Sequence, residues 1–264
     1  MHKYLWILLC CFTCGYAHAQ EKQLPAEVIV IGTIHYGNKA FNHRTLYRLL
    51  QQLQPQVLLD EYSKEYKPVF GLQAVSFLKI GKVSIEQLAI QQYYRRHRSV
   101  IVRPFDTAFA SRRQYIKKST KDEHTFFTLL NEADMHTEDS LYYADYANHR
   151  NAYYDFTQTA GLMSINQPDI IHKARLKYQM EETTILPLAK KYIKDSTIVN
   201  AFANDLQFWH DRNKYMVQQI KSYIRQYPGK RIVVLTGLNH KYFLIDQLKQ
   251  EQDLAFRLVE PNNQ

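Results

Sequence analysis

"VIVIGTIHYGN", residues 28–38, decides how the rest of the chain is read. An unbroken aliphatic run enters Gly32, and His35 follows within a turn. A strand that is apolar at every position is buried on both faces, the habit of a parallel sheet covered by helices on either side. Strands of such a sheet deliver their carboxyl ends to a common edge, and ligands bind there. A second stretch, "RIVVLTGLNHKYF" (231–243), repeats the pattern with Gly237 and His240. The two Gly-x-x-His turns are expected to meet across one crevice.

Working outward, the first strand covers about 27–32, and a helix over about 39–54 carries Leu46, Leu49, Leu50 and Leu53 at helical spacing before Pro55 stops it. "QVLLDEY" (56–62) is a second strand, completing a unit that crosses over right-handed into a parallel sheet. "SVIVRPFD" (99–106) is the third. The chain then reads as helical from about 107 to 228, before a fourth strand at 231–236, a helix near 240–251 and a last strand at 255–260. The expected fold is α/β: a mostly parallel central sheet flanked by helices, with a large helical insertion between the third and fourth strands. Residues 20–264 read as a single domain.

The first 19 residues, "MHKYLWILLCCFTCGYAHA", have a basic start at Lys3, a short apolar run and an Ala-His-Ala end, the pattern of a secretory signal peptide cleaved before Gln20. The apolar run is shorter than the roughly 20 residues that a spanning helix needs. No later stretch is apolar enough to cross a bilayer, so no transmembrane segment is expected in the mature chain. Cys10, Cys11 and Cys14 are the only cysteines, all in this segment. The mature chain then has no disulfide, thiol nucleophile or thiolate metal site, and an exported, periplasmic or secreted location is expected. Losing Lys3 takes the net charge from +9 to +8. The basic residues are scattered apart from "YYRRHR" (93–98) and "RRQYIKK" (112–118), which argues for a solvated surface and against nucleic acid as a partner.

Polar residues gather at the strand ends: His35 after the first, Asp60 and Glu61 at the second, Asp106 after the third, His240 after the fourth. Each has a plain structural alternative. A histidine after a strand commonly sits in a turn, and Asp106 is a suitable helix N-cap. Their convergence on one edge favours a site. The helix before the fourth strand carries an apolar stripe, Phe202, Leu206, Trp209, Met216, Ile220 and Tyr227, with Asn213 on the stripe and Arg212 beside it. A buried guanidinium needs an anion, either a ligand or a structural partner such as Asp205 or Glu61.

Taken together, "IGTIH", "LLDE", "DRNKYMVQQI" and "VVLTGLNH" resemble the TraB/PrgY, GumN and Tiki group, within the wider clan that includes erythromycin esterase and the haem-binding ChaN proteins. The resemblance covers about residues 28–62 and 205–245, and places the group's motif positions on His35, Glu61, Arg212 with Asn213, and His240. "VRPFD" matches the clan's strand-ending aspartate at Asp106. It implies a sheet with an inserted helical region and metal-dependent hydrolysis of a peptide or ester bond. Members of the clan also include haem binders, so the alternatives are a non-catalytic protein that binds a small ligand such as haem or a metal, and an envelope interaction protein with a vestigial pocket.

His35, His240 and Glu61 form a ligand set suited to Zn, Mn, Co or Fe(II). Bound metal would acidify a water, with Asp106 as base, Arg212 stabilising an oxyanion and Asn213 beside it. A metal-free version uses one histidine as base, oriented by Glu61. Absence of the His-Glu-x-x-His pattern excludes an ordinary zincin, and absence of a Gly-x-Ser-x-Gly elbow counts against a serine nucleophile of the α/β-hydrolase type. Asn38 and Asn239, beside the two histidine turns, are candidates to bind a small-molecule or peptide substrate. So are Tyr146 and Tyr153, from the tyrosine-rich face of "LYYADYANHRNAYYDF" (141–156), although helically spaced aromatics more often form core.

Overall fold

The computed structural model describes residues 24–61, 83–107 and 112–261. The signal-peptide segment lies outside the described residues. Among the described residues five strands form one wholly parallel sheet: β1 (Ala26–Thr33), β2 (Val57–Asp60), β3 (Ile101–Pro104), β4 (Arg231–Gly237) and β5 (Phe256–Leu258), in the order β3-β2-β4-β1-β5. The two Gly-x-x-His strands are the adjacent central pair, registered from Glu27 opposite Arg231 to Thr33 opposite Gly237. Val28, Ile29, Ile31 and Ile232 to Leu235 are fully buried. Their two-sided burial is what the unbroken aliphatic runs require.

Helices α1 (His43–Leu53) and α2 (Ile85–Arg96) connect the first three strands. The first begins later than residue 39, because the Asn38 side chain accepts from the Ala40 and Phe41 amides and holds a turn there. Asn42 then caps the helix, with Thr45 returning the bond. α2 was not foreseen. It starts at a capping box between Ser84 and Gln87 and buries Ile85, Leu88, Ala89, Ile90 and Tyr93, together with Glu86. The second strand is shorter than expected and ends at Asp60.

Between β3 and β4 the chain is helical, as expected: α3 (Arg112–Asn131), α4 (Thr137–Thr159), α5 (Leu162–Ile165), α6 (Pro168–Met180), a π-turn at Glu181–Ile185, α7 (Leu186–Tyr192) and α8 (Ser196–Gln226). α9 (Leu238–Lys249) follows β4 directly. The insertion has its own apolar centre, including Phe126, Tyr146, Ile185, Val199, Phe202 and Leu206. The sheet's core takes Met216, Val217, Ile220 and Ile224 from the other half of α8. One helix of 31 residues, roughly 46 Å long at 1.5 Å per residue, therefore belongs to both cores. Arg212 and Asn213 follow its midpoint directly. Among the described residues no helix is long and apolar enough to cross a membrane.

Asn166, after α5, fastens the insertion to the sheet. Its amide accepts from Gly32 N at 2.7 Å and donates to Gly32 O at 2.9 Å, so it pairs with the strand as a peptide group would. The same amide donates to Leu162 O and accepts from the Nζ of the fully buried Lys241 at 2.7 Å. Burial lowers the Lys241 pKa to about 8. Asn166→Leu strips partners from a buried amide, a buried carbonyl and a buried amine, each worth about 1–3 kcal/mol when orphaned. A loss of about 3 kcal/mol or more in denaturant unfolding is expected.

Candidate functional site

His35 sits two residues past β1 in a turn closed by Gly37 N to Ile34 O (2.7 Å), with Gly37 at φ 65°. A Cβ at Gly37 would meet Phe41 O at 2.4 Å, so glycine is required there twice over. The His35 ring lies at the carboxyl edge of the sheet, its side chain 45% exposed, with Nδ1 2.9 Å from Glu86 Oε1 and Nε2 3.9 Å from Glu61 Oε1.

Glu61 follows β2 directly and is buried. Its Oε2 accepts from the Gly237 amide and from Thr236 Oγ1, so the end of β4 fixes this carboxylate. Its Oε1 accepts from Arg212 Nη2 at 2.7 Å and lies 3.7 Å from His240 Nε2. Gly237 makes the convergence sterically feasible. A Cβ there would lie 3.2 Å from His35 Nε2 and 3.3 Å from Glu61 Oε2.

Arg212 reaches in from α8. Its Nε and Nη2 bind the two oxygens of Asp106 at 2.9 and 2.8 Å, the forked pairing that guanidinium geometry favours. Its Nη1 is 3.1 Å from His240 Nε2. Asn213 donates to Trp209 O and thereby turns its oxygen toward His240 Nδ1, 2.8 Å away. His240 therefore carries its proton on Nδ1 and accepts from Arg212 at Nε2. Trp209 stacks on the same ring at 5.7 Å.

These surroundings drive the histidines apart. For His35, burial opposes the charged form, but the hydrogen bond to Glu86 and the charges of Glu61 and Glu86 outweigh it and raise the pKa to about 9. For His240, burial prevails over the pull of Glu61, Arg212 adds to it, and the pKa falls to about 4. Glu61 is held well below the usual range: burial would raise it, but His240, Arg212 and His35 lower it further, as does the Gly237 amide. Asp60 goes the other way, raised by burial and then by Glu86 and Glu61, which favours its neutral carboxyl.

The arrangement does not fit a metal shared by His35, Glu61 and His240. Arg212 already lies on Glu61 Oε1 and His240 Nε2, the atoms that would have to ligate, and a guanidinium cannot give up its charge. A cation about 2 Å from either atom would stand against it. Among the described residues no group of three or more His, Cys, Asp or Glu side chains has the arrangement of a metal site.

Of the remaining candidates, Asn239 lies beside His240 and accepts from Tyr153 OH at 2.7 Å, tying α4 to α9. Asn38 is spent on its own turn and on the carbonyls of Thr157 and Ala160, so it holds the loop to α4. Tyr146 is 1% exposed in the core of the insertion and donates to Glu181, so it packs there and does not face the crevice. Asp205 binds Tyr115 and Ser119, leaving Arg212 to Asp106 and Glu61. Glu86 was missed. Its signal was a carboxylate on the same helical face as Ile90 and Tyr93, in the first turn after a Ser-x-x-Gln cap.

No known protein-family profile matches the chain, and no curated protein matches it. A solved structure of a mutant erythromycin esterase, EreC, in its open conformation superposes with a TM-score of 0.32 at 10% identity, over 88% of this chain and 69% of that one.

The pKa shifts set a stability profile. The His35 contribution is complete below its unfolded value of 6.5 and lost as pH rises through about 9. The neutral burial of His240 acts oppositely, costing stability as pH falls from 6.5 toward 4. Thermal unfolding of His35→Gln should therefore lose less stability than the wild type between pH 6.5 and 9, with no such difference between the two below that window.

Proposed function

We propose that this chain is an exported hydrolase of the TraB/PrgY, GumN and Tiki type, cleaving a peptide or ester bond by acid–base catalysis in which His35 moves the proton. The supporting observation is the contrast between its histidines. His240 is buried with both ring nitrogens engaged, whereas the His35 ring is half-exposed and its Nε2 faces a carboxylate 3.9 Å away.

A water between His35 Nε2 and Glu61 Oε1 would be aligned by the carboxylate. Unprotonated His35 takes a proton from that water as its oxygen bonds to the carbonyl carbon. The resulting oxyanion lies in the field of Arg212, which among the described residues has one of its five N–H groups uncommitted after bonding Asp106, Glu61 and His240. Collapse breaks the bond to the leaving group, and the proton on Nε2 passes to that group. Glu61 is too firmly ionised to be the base, so its role is to orient.

His35→Gln should lower kcat/KM for ester or peptide substrates by about 10²–10⁴-fold. Wild-type kcat/KM should rise with pH and level off near the His35 pKa of about 9, and chelators should leave it unchanged. Retained hydrolysis in the variant would sink the assignment. Export is tested separately: protein recovered from outside the cytoplasm should begin at Gln20 by N-terminal sequencing.

A further inference from the structure

The buried side of the His35 ring has an arrangement of its own. Glu86, 3% exposed in the first turn of α2, places Oε1 2.9 Å from Nδ1, and the same oxygen meets the hydroxyl of buried Thr33. The main chain repeats the attachment, since the first amide of α2, Ile85 N, donates to His35 O at 2.9 Å. α2 therefore grips one residue by backbone and side chain together, and the Ser84–Gln87 box fixes the end of the helix that does so.

We infer that Glu86 is the positioning residue of His35, fixing a proton on Nδ1 and leaving Nε2 as the ring nitrogen that exchanges protons with the crevice. This rests on the hydrolytic reading for its consequence, but not for its geometry. Thr33 Oγ1 has one proton and two acceptors in reach, Glu86 Oε1 and Thr236 O at 3.0 Å. An ionised carboxylate is the stronger acceptor. With Thr33 donating, the Nδ1 proton is the second that Glu86 Oε1 receives, while Glu86 Oε2 is buried with no partner among the described residues. Glu61 cannot substitute, because it addresses the opposite edge of the ring and is already bound by Arg212. Among the described residues, the other charged or titratable groups acting here are Asp60 on β2, Arg212 on α8 and His240 on α9. The Asp60 environment favours a neutral carboxyl, so Glu86 supplies the negative charge behind the ring.

The test is a ¹⁵N NMR titration of His35 in the full chain, with Glu86→Gln as the variant. The amide retains an acceptor of the same shape and removes the charge. The expected wild-type result is the Nδ1–H tautomer at high pH. In the variant the His35 pKa should fall by about one unit or more, a tenfold change or greater in proton affinity. The rising limb of kcat/KM against pH should move down by the same amount. A merely structural Glu86 would lower the melting temperature without moving either titration, and that result overturns the inference. If the variant does not fold, the wild-type spectrum decides alone, since an Nε2–H tautomer also overturns it. If the titration shifts but the wild type hydrolyses no substrate, the pairing stands and the hydrolytic reading falls.

Discussion

A single guanidinium organises the carboxyl edge of the sheet. Arg212 is 15% exposed and binds Asp106, Glu61 and His240, which come from three different strand ends. Two carboxylates buried together repel one another and would unfold or protonate the edge unless a permanent cation lay between them. Arginine is suited to that place because its fork grips Asp106 with two bonds while a further N–H reaches Glu61. The ion cluster is thus a condition for β2, β3 and β4 to end side by side with their polar residues inward.

That constraint has a chemical consequence for the two Gly-x-x-His turns. They are alike in sequence, and their strands are paired in register, yet the rings are not interchangeable. His240 lies on the guanidinium side, where burial and the adjacent positive charge keep it neutral. His35 lies on the side of Glu86 and Glu61, where negative charge favours its protonated form. An ionisable pair divided in this manner resembles the general pattern by which active sites assign separate tasks to like groups.

The sheet was legible because its signal is composition at short range. β1 and β4 are apolar at nearly every position, and no other element tolerates that pattern so well. Their adjacency followed from topology, as did the placement of His35, Glu61, Asp106 and His240 on one edge. What the sequence did not disclose depends on contacts across the fold. α2 contains a glutamate where an apolar residue would be expected, and only its meeting with His35 explains the exception. Tyr146 and Tyr153 share a helical face in sequence, but one meets Glu181 in the insertion and the other meets Asn239. Glu61 was among the partners the sequence offered Arg212, but the contact with His240 was not, since nothing local distinguishes an arginine facing substrate from one filling the centre of a cluster.

The continuity of α8 bears on how such a protein can diversify. Because the same unbroken helix supplies the wall of both hydrophobic centres, with the crevice arginine at its middle, the inserted region is not free to swing like a hinged cover. Any tilt large enough to widen the opening would bend that rod or drag Arg212 off Asp106. Sequence change is therefore easiest to accommodate on the outer helices over a stationary frame, with the polar cluster at the strand ends preserved as the exterior changes.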